Sequence, residues 1–155
     1  MPQIPPPLNW EADELSKFLQ HAHNNQLASA ARKTAAYNRL AFVDAQFLKV
    51  CSHIIDPKNI TATNLFFRAH SAYRATCGTA MAGQVFESAV LGRACLEAAA
   101  YALRVYSNPE FATVWWDRNQ GADAKGNAIQ AFKHPDLRKA IGDAPNSRTF
   151  SKCLS

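Results

Sequence analysis

Two arginines and a glutamate in the most apolar segment of the sequence are the first candidates for chemistry. Arg93 and Glu97 are four residues apart and Arg104 follows seven residues later, so all three share one side of a helix. The segment is apolar on nearly every side, which predicts a buried helix where unpaired charges are costly. We therefore expect a bidentate Arg–carboxylate bond. An ion pair that fixes helix register is the favoured interpretation, and a polar site inside the fold is the alternative.

A histidine and an aspartate on two other predicted helices are the second candidates. His70 shares a stripe with Phe66, Tyr73 and Cys77. An imidazole can act as a general base near neutral pH, but a lone histidine on an aromatic stripe is more often a hydrogen-bonded core residue. Asp44 lies on the apolar side of its own predicted helix. It is a candidate partner for His70 or for one of the arginines.

Metal and nucleotide chemistry have no linear motif in this sequence. His21 and His23 would be about 200° apart on a helix, which suits no helical chelate. Glu-x-x-His pairs of the ferritin type do not occur, and neither does the phosphate loop G-x-x-x-x-G-K-[ST] or the dinucleotide pattern G-x-G-x-x-G. We therefore expect no metal and no other cofactor.

Composition and charge bound the class of protein. The chain has 155 residues, of which 48% are hydrophobic, as in a single globular domain. The sequence has no long apolar run and no signal-peptide pattern, so we expect no membrane span and a cytoplasmic location. The net charge is +5, and residues 121–155 carry six Lys or Arg against three Asp or Glu. This basic tail is compatible with nucleic acid, although a solvated terminal segment is the simpler interpretation.

Capping and breaking signals predict the first two helices. Prolines within residues 1–8 predict an extended arm, and Asn9 is expected to cap a helix that begins at Trp10. The pair Asn24-Asn25 predicts a break, after which a second helix runs over about 26–55. Its apolar stripe comprises Ala36, Leu40, Val43, Phe47, Val50, Cys51 and Ile54.

The strongest helical signal predicts an antiparallel hairpin over about 61–82 and 84–107, with Thr61 or Thr63 as the first cap and Gly83 at the turn. Asn108-Pro109-Glu110 predicts a short helix, and His134-Pro135-Asp136 predicts another through Ile141. The expected architecture is all-α, a bundle of about five helices around the hairpin. We expect one domain over 9–142 and a poorly ordered tail over 143–155.

The block over residues 65–119 resembles a recurring arrangement in uncharacterised bacterial all-helical proteins. In those proteins a small-residue turn leads into an R-x-x-x-E helix, then N-P-E and an aromatic helix. The arrangement is distantly similar to the HEPN-like bundles of toxin–antitoxin and phage-defence systems. Catalytic HEPN ribonucleases resemble one another in an arginine four to six residues before a histidine, and no histidine of this chain has that spacing. The matching residues here are Gly83, Arg93, Glu97, Asn108, Pro109, Glu110 and Trp115.

Two functions from different classes are consistent with these features. The first is a non-catalytic HEPN-like module that acts through protein or nucleic-acid contacts, with a homodimer as one form. The second is a metal-independent RNA-cleaving toxin that uses His70 with a buried arginine, Arg93 or Arg104. We favour the first, because the linear arginine–histidine motif of the ribonucleases is missing.

Overall fold

Six α-helices make up the regular secondary structure of residues 5–133, the part of the chain that the computed structural model describes. No strand occurs in this part, so the expected all-α class is confirmed, and the helices pack as a bundle. The short helix predicted from His134 to Ile141 and the predicted tail over 143–155 lie outside the described residues. The helices are α1 Glu14–Arg32, α2 Thr34–Ser52, α3 Ile60–Met81, α4 Val85–Ser107, α5 Phe111–Asp117 and α6 Ala122–Ala131.

The α3–α4 hairpin is the centre of the bundle, as predicted. Its cap is Asn59 instead of Thr61 or Thr63: Asn59 Oδ1 accepts from the Ala62 amide at 3.0 Å. The Asn59 side-chain amide also donates to the carbonyl of Val105 at 3.0 Å, so one residue ties the start of α3 to the end of α4. The chain reverses at Gly83, whose φ of 89° favours glycine. The two helices therefore run antiparallel.

The N-terminal half of α4 departs from the prediction of a helix buried on every side. Its inner side packs on α3, where a Cβ added to Gly92 would lie 3.5 Å from Thr76 Cγ2. On the part of its surface that the described helices leave uncovered, four large apolar residues are 68–85% exposed. We call this surface the outer face of α4. It comprises Val85, Phe86, Val90 and Leu96.

Helix α1 begins and ends later than predicted. Asn9 has a φ of 67°, which is unsuited to an N-cap, and Asp13 is the cap because its Oδ1 accepts from the Ser16 amide at 2.9 Å. The helix continues through the predicted break because both asparagines are otherwise engaged. Asn24 Oδ1 accepts from Gln20 at 3.0 Å, and Asn25 Nδ2 donates to the carbonyl of Ala82 at 3.2 Å.

Helix α2 rests on α3 along a narrow line and has no buried residue. Leu40, Asp44 and Phe47 make the contact, since each has a hydrogen bond or ring contact to α3. Val43 and Val50, which belong to the predicted apolar stripe, are exposed. The interface is therefore narrower than the sequence pattern indicates.

Helices α5 and α6 cover the C-terminal half of α4. Leu65, Val105 and Phe132 are buried there in one cluster, against which Phe111 and Trp115 pack. The N-P-E signal does precede a helix, α5, but the sequence analysis did not predict α6. Only one large apolar residue, Ile129, lies within α6, so its sequence lacks an amphipathic stripe. The helix is held instead by Phe132, immediately after its end.

Candidate functional site

The carboxylate of Asp44 joins α2 to two residues of α3. Asp44 Oδ1 is 2.7 Å from Nε2 of His70, and Arg74 donates from Nε to Oδ1 at 2.8 Å and from Nη2 to Oδ2 at 2.9 Å. The structure thus brings together two of the candidate residues, His70 and Asp44. The third member, Arg74, was missed by the sequence analysis. Its position four residues after His70 places both side chains on the same side of α3, which is the signal that could have found it.

Charge pairing sets the protonation of this cluster. The bidentate bond from Arg74, and after it the bond from His70, hold the pKa of Asp44 well below its usual range. The same bond raises the pKa of Arg74. The side chain of His70 is 10% exposed and that of Arg74 is 55% exposed, so the cluster extends from the α2–α3 interface to solvent. The carboxylate is therefore ionised and fully engaged at neutral pH.

Aromatic side chains lie beside the polar cluster. The ring of Phe47 stacks on that of His70, with centroids 4.9 Å apart and an angle of 9°. The Tyr73 hydroxyl donates to the carbonyl of Leu40 at 2.8 Å, and burial raises the pKa of this hydroxyl. The cluster therefore fastens α2 to α3 by polar and stacking contacts. A base at His70 would have to act through Nδ1, because Nε2 faces Asp44.

The prediction of a buried stripe of Arg93, Glu97 and Arg104 was wrong about burial and correct about the pairing of Arg93 with Glu97. Arg93 Nε donates to Glu97 Oε1 at 2.8 Å, which is one hydrogen bond where a bidentate bond was expected, and the Arg93 side chain is 78% exposed. Both residues lie on the side of α4 that the described helices leave uncovered. Arg104 is half-buried: its guanidinium lies 4.4 Å from the Phe111 ring centroid, and its Nε donates to the carbonyl of Ala131 at 2.6 Å. It therefore holds the end of α6 against α4.

A groove of about 520 Å³ between α4, α5 and α6 is a second candidate site, and none of the predicted site residues lines it. Its wall is aromatic, and its cationic side chains come from α6 and from the residues that follow α5 and α6. We call it the aromatic–basic groove. Sequence reasoning missed it because α6 was not predicted. The residues that define the groove are Tyr101, Trp115, Arg118, Lys125, Phe132 and Lys133.

Within residues 5–133, no group of three or more His, Cys, Asp or Glu side chains is arranged to hold a metal ion. None of the helices in that range combines the length and apolar character that crossing a membrane requires.

Comparison of the chain with protein-family models, with curated proteins and with solved structures finds no match.

Proposed function

We propose that the chain is a non-catalytic helical interaction module that pairs with a second copy of itself through the outer face of α4. The observation that carries the proposal is the row of large apolar side chains on this face. Phe86 and Val90 are one turn apart on one flank of this face, and Val85 and Leu96 are three turns apart on the other flank, about 100° around the helix. Exposed apolar patches beyond a few hundred Å² typically mark interaction sites.

The packing of the hairpin favours a second copy as the occupant. A helix with apolar residues on two sides is stable when a layer covers each side, and α3 covers one side of α4. Two hairpins that meet through their outer faces would form a four-helix bundle. A stable dimer buries about 800 Å² on each partner, and the apolar side chains of the outer face would contribute to such an interface.

The charges on this side of α4 are compatible with self-association. Arg93 and Glu97 neutralise each other within one copy at 2.8 Å. A two-fold interface brings together identical surfaces, so a surface with net charge would repel itself. The paired charges avoid this repulsion, and they lie within the outer face, with Arg93 between its two apolar flanks.

Sedimentation of the purified full chain over a range of concentrations tests the proposal. We expect a dimer that Val90→Glu weakens at least tenfold, because a carboxylate would be desolvated among the apolar side chains of the interface. Val50→Glu is the matched control, since Val50 is a comparably exposed valine on α2. A wild-type chain that stays monomeric at high concentration, or equal loss of the dimer in both variants, would contradict the proposal.

The biological system in which the chain acts is part of the same proposal. The HEPN-like resemblance of residues 65–119 suggests a bacterial toxin–antitoxin or phage-defence system, which the neighbouring genes would test. The engagement of Asp44 by Arg74 and His70 supports the non-catalytic assignment, because both carboxylate oxygens already accept hydrogen bonds.

RNA cleavage without metal is the second candidate function, and the 2.7 Å contact between His70 and Asp44 is the observation that favours it. A carboxylate that orients a histidine is a recurrent arrangement for a general base. Incubation of RNA with the purified chain in a chelator tests this candidate. We expect intact RNA. Cleavage that His70→Ala abolishes and that the exposed-histidine control His23→Ala retains would replace the non-catalytic proposal with an enzyme.

A further inference from the structure

We infer that the aromatic–basic groove binds a nucleoside phosphate, with the base against its aromatic wall and the phosphates at its cations. The groove lies at the C-terminal half of α4, whereas the outer face of α4 lies at the N-terminal half. The inference is therefore independent of the proposed dimer, and each can fail without the other.

Three rings meet at the aromatic wall: Tyr101 and Trp115 are half-buried, and Phe132 is buried against both of them. The centroid of Tyr101 lies 5.4 Å from that of Trp115 and 5.0 Å from that of Phe132, and Trp115 and Phe132 are 5.5 Å apart. These contacts hold the rings in fixed positions, so little conformational entropy is lost when a flat ligand packs on them. Aromatic side chains stack on any nucleobase, because every base presents a π-face. The wall therefore suits a planar heterocycle.

Three cations line the same groove. Arg118 is fixed, since its guanidinium carbon lies 4.1 Å from the Trp115 centroid and its Nη1 donates to the Trp115 carbonyl. Lys125 comes from α6 and Lys133 from just beyond it. No carboxylate of residues 5–133 lines the groove, and none of these three cations forms a salt bridge with a residue in that range. Three positive charges without a counter-charge from the described helices fit a ligand that carries phosphate.

The size of the groove decides between ligands that share this chemistry. Small-molecule sites commonly have volumes of about 300–1,000 Å³, and this groove has about 520 Å³. An inorganic phosphate would leave the aromatic wall empty. A polynucleotide needs a basic stripe that follows its backbone, whereas residues 101–133, which contain the groove, carry four Lys or Arg against three Asp or Glu. A single nucleoside phosphate satisfies the wall, the cations and the volume together.

Isothermal titration of the full chain with ADP, adenosine and pyrophosphate in parallel tests the inference. We expect ADP to bind at least tenfold more tightly than adenosine, which lacks the charge, and than pyrophosphate, which lacks the ring. Lys125→Gln is expected to weaken ADP binding about tenfold through the loss of one charge-assisted contact. Lys49→Gln, which removes an exposed lysine of α2, is the matched control and should leave the affinity unchanged.

Several results would overturn the inference. Pyrophosphate that binds as tightly as ADP would indicate an anion site without a base. Adenosine that matches ADP would indicate an apolar site only, and a single-stranded oligonucleotide that binds far more tightly than ADP would indicate a polynucleotide surface. Equal weakening by Lys125→Gln and Lys49→Gln would indicate unspecific attraction to a basic protein. The absence of binding by ADP and by GDP would remove the site.

Discussion

Asp44 is the residue on which the attachment of α2 depends most. It accepts three hydrogen bonds from α3, and α2 itself has no buried residue. Hydrogen bonds to charged groups contribute about 1.5–3 kcal/mol when buried, and the exposure of Arg74 reduces that contribution. We expect Asp44→Asn to lower the free energy of unfolding by about 1–2 kcal/mol, as measured by urea denaturation.

Glu97→Gln is the control for this substitution, because Glu97 also binds an arginine but within one helix and near solvent. It should change the stability by about 0.5 kcal/mol or less. Both variants are best compared in the Val90→Glu background, which removes any contribution from pairing of the outer face. Equal losses in the two variants would mean that the Asp44 cluster adds nothing beyond an ordinary surface pair.

The pH dependence of stability provides a second measurement on the same carboxylate. The pKa of Asp44 is lower in the folded chain than the ordinary value of 3.8. Its contribution is therefore fully present above that value, and it is lost as the pH falls from there toward the folded pKa. We expect the difference in unfolding free energy between the wild type and Asp44→Asn to be constant near pH 6–7. The difference should shrink below about pH 4, and one that grows in acid would contradict this assignment.

At the residue scale, the sequence predicted which residues pair with one another better than it predicted their burial. The helical spacing correctly paired Arg93 with Glu97 and placed Asp44 on the side of α2 that faces His70. Spacing along one helix cannot show which side another helix covers, so the burial predicted for Arg93 was wrong. The bond between Arg74 and Asp44 joins two helices. From the sequence alone, the third member of the cluster could only have been narrowed to a charged residue on the same side of α3 as His70.

Capping decides where the central hairpin begins. Asn59 satisfies the Ala62 amide and the Val105 carbonyl, so it both caps α3 and binds α4. Loss of an N-cap side chain costs about 0.5–2 kcal/mol. We expect Asn59→Ala to lower the free energy of unfolding by about 1–2 kcal/mol. Gln84, at the N-cap position of α4, makes no capping hydrogen bond, and Gln84→Ala should therefore cost less than half as much.

Element prediction succeeded where the apolar pattern was strong and failed where tertiary contacts decided the outcome. The hairpin bounds were within two residues of the observed α3 and α4, because Gly83 and the apolar segments mark them. The break at Asn24-Asn25 was wrong, because Asn25 binds the end of α3 instead of turning the chain. The aromatic–basic groove was out of reach for the same reason, since α6 is held by Phe132 and by Arg104 rather than by its own pattern.

Stability across the whole molecule is expected to be uneven, and hydrogen exchange monitored by mass spectrometry would measure it. Leu65 and Val105 are 3% and 0% exposed where α3 and α4 meet α5 and α6, whereas α2 touches α3 along one line. Helices with few buried contacts open at a lower free-energy cost than the core. We therefore expect the amides of α2 to exchange fastest among the four long helices, and those around Leu65 and Val105 slowest.

The Asp44 cluster makes this expectation specific. Asp44→Asn should accelerate exchange in α2 while leaving the amides around Val105 unchanged, because the polar contacts that it removes lie between α2 and α3 only. Val90→Glu is the counterpart of this variant. If a second copy covers the outer face, it should accelerate amide exchange along the N-terminal half of α4, and it should leave the exchange rates of α2 unchanged. Acceleration throughout the chain in either variant would mean that the bundle opens as one cooperative unit, with no separable layer formed by α2.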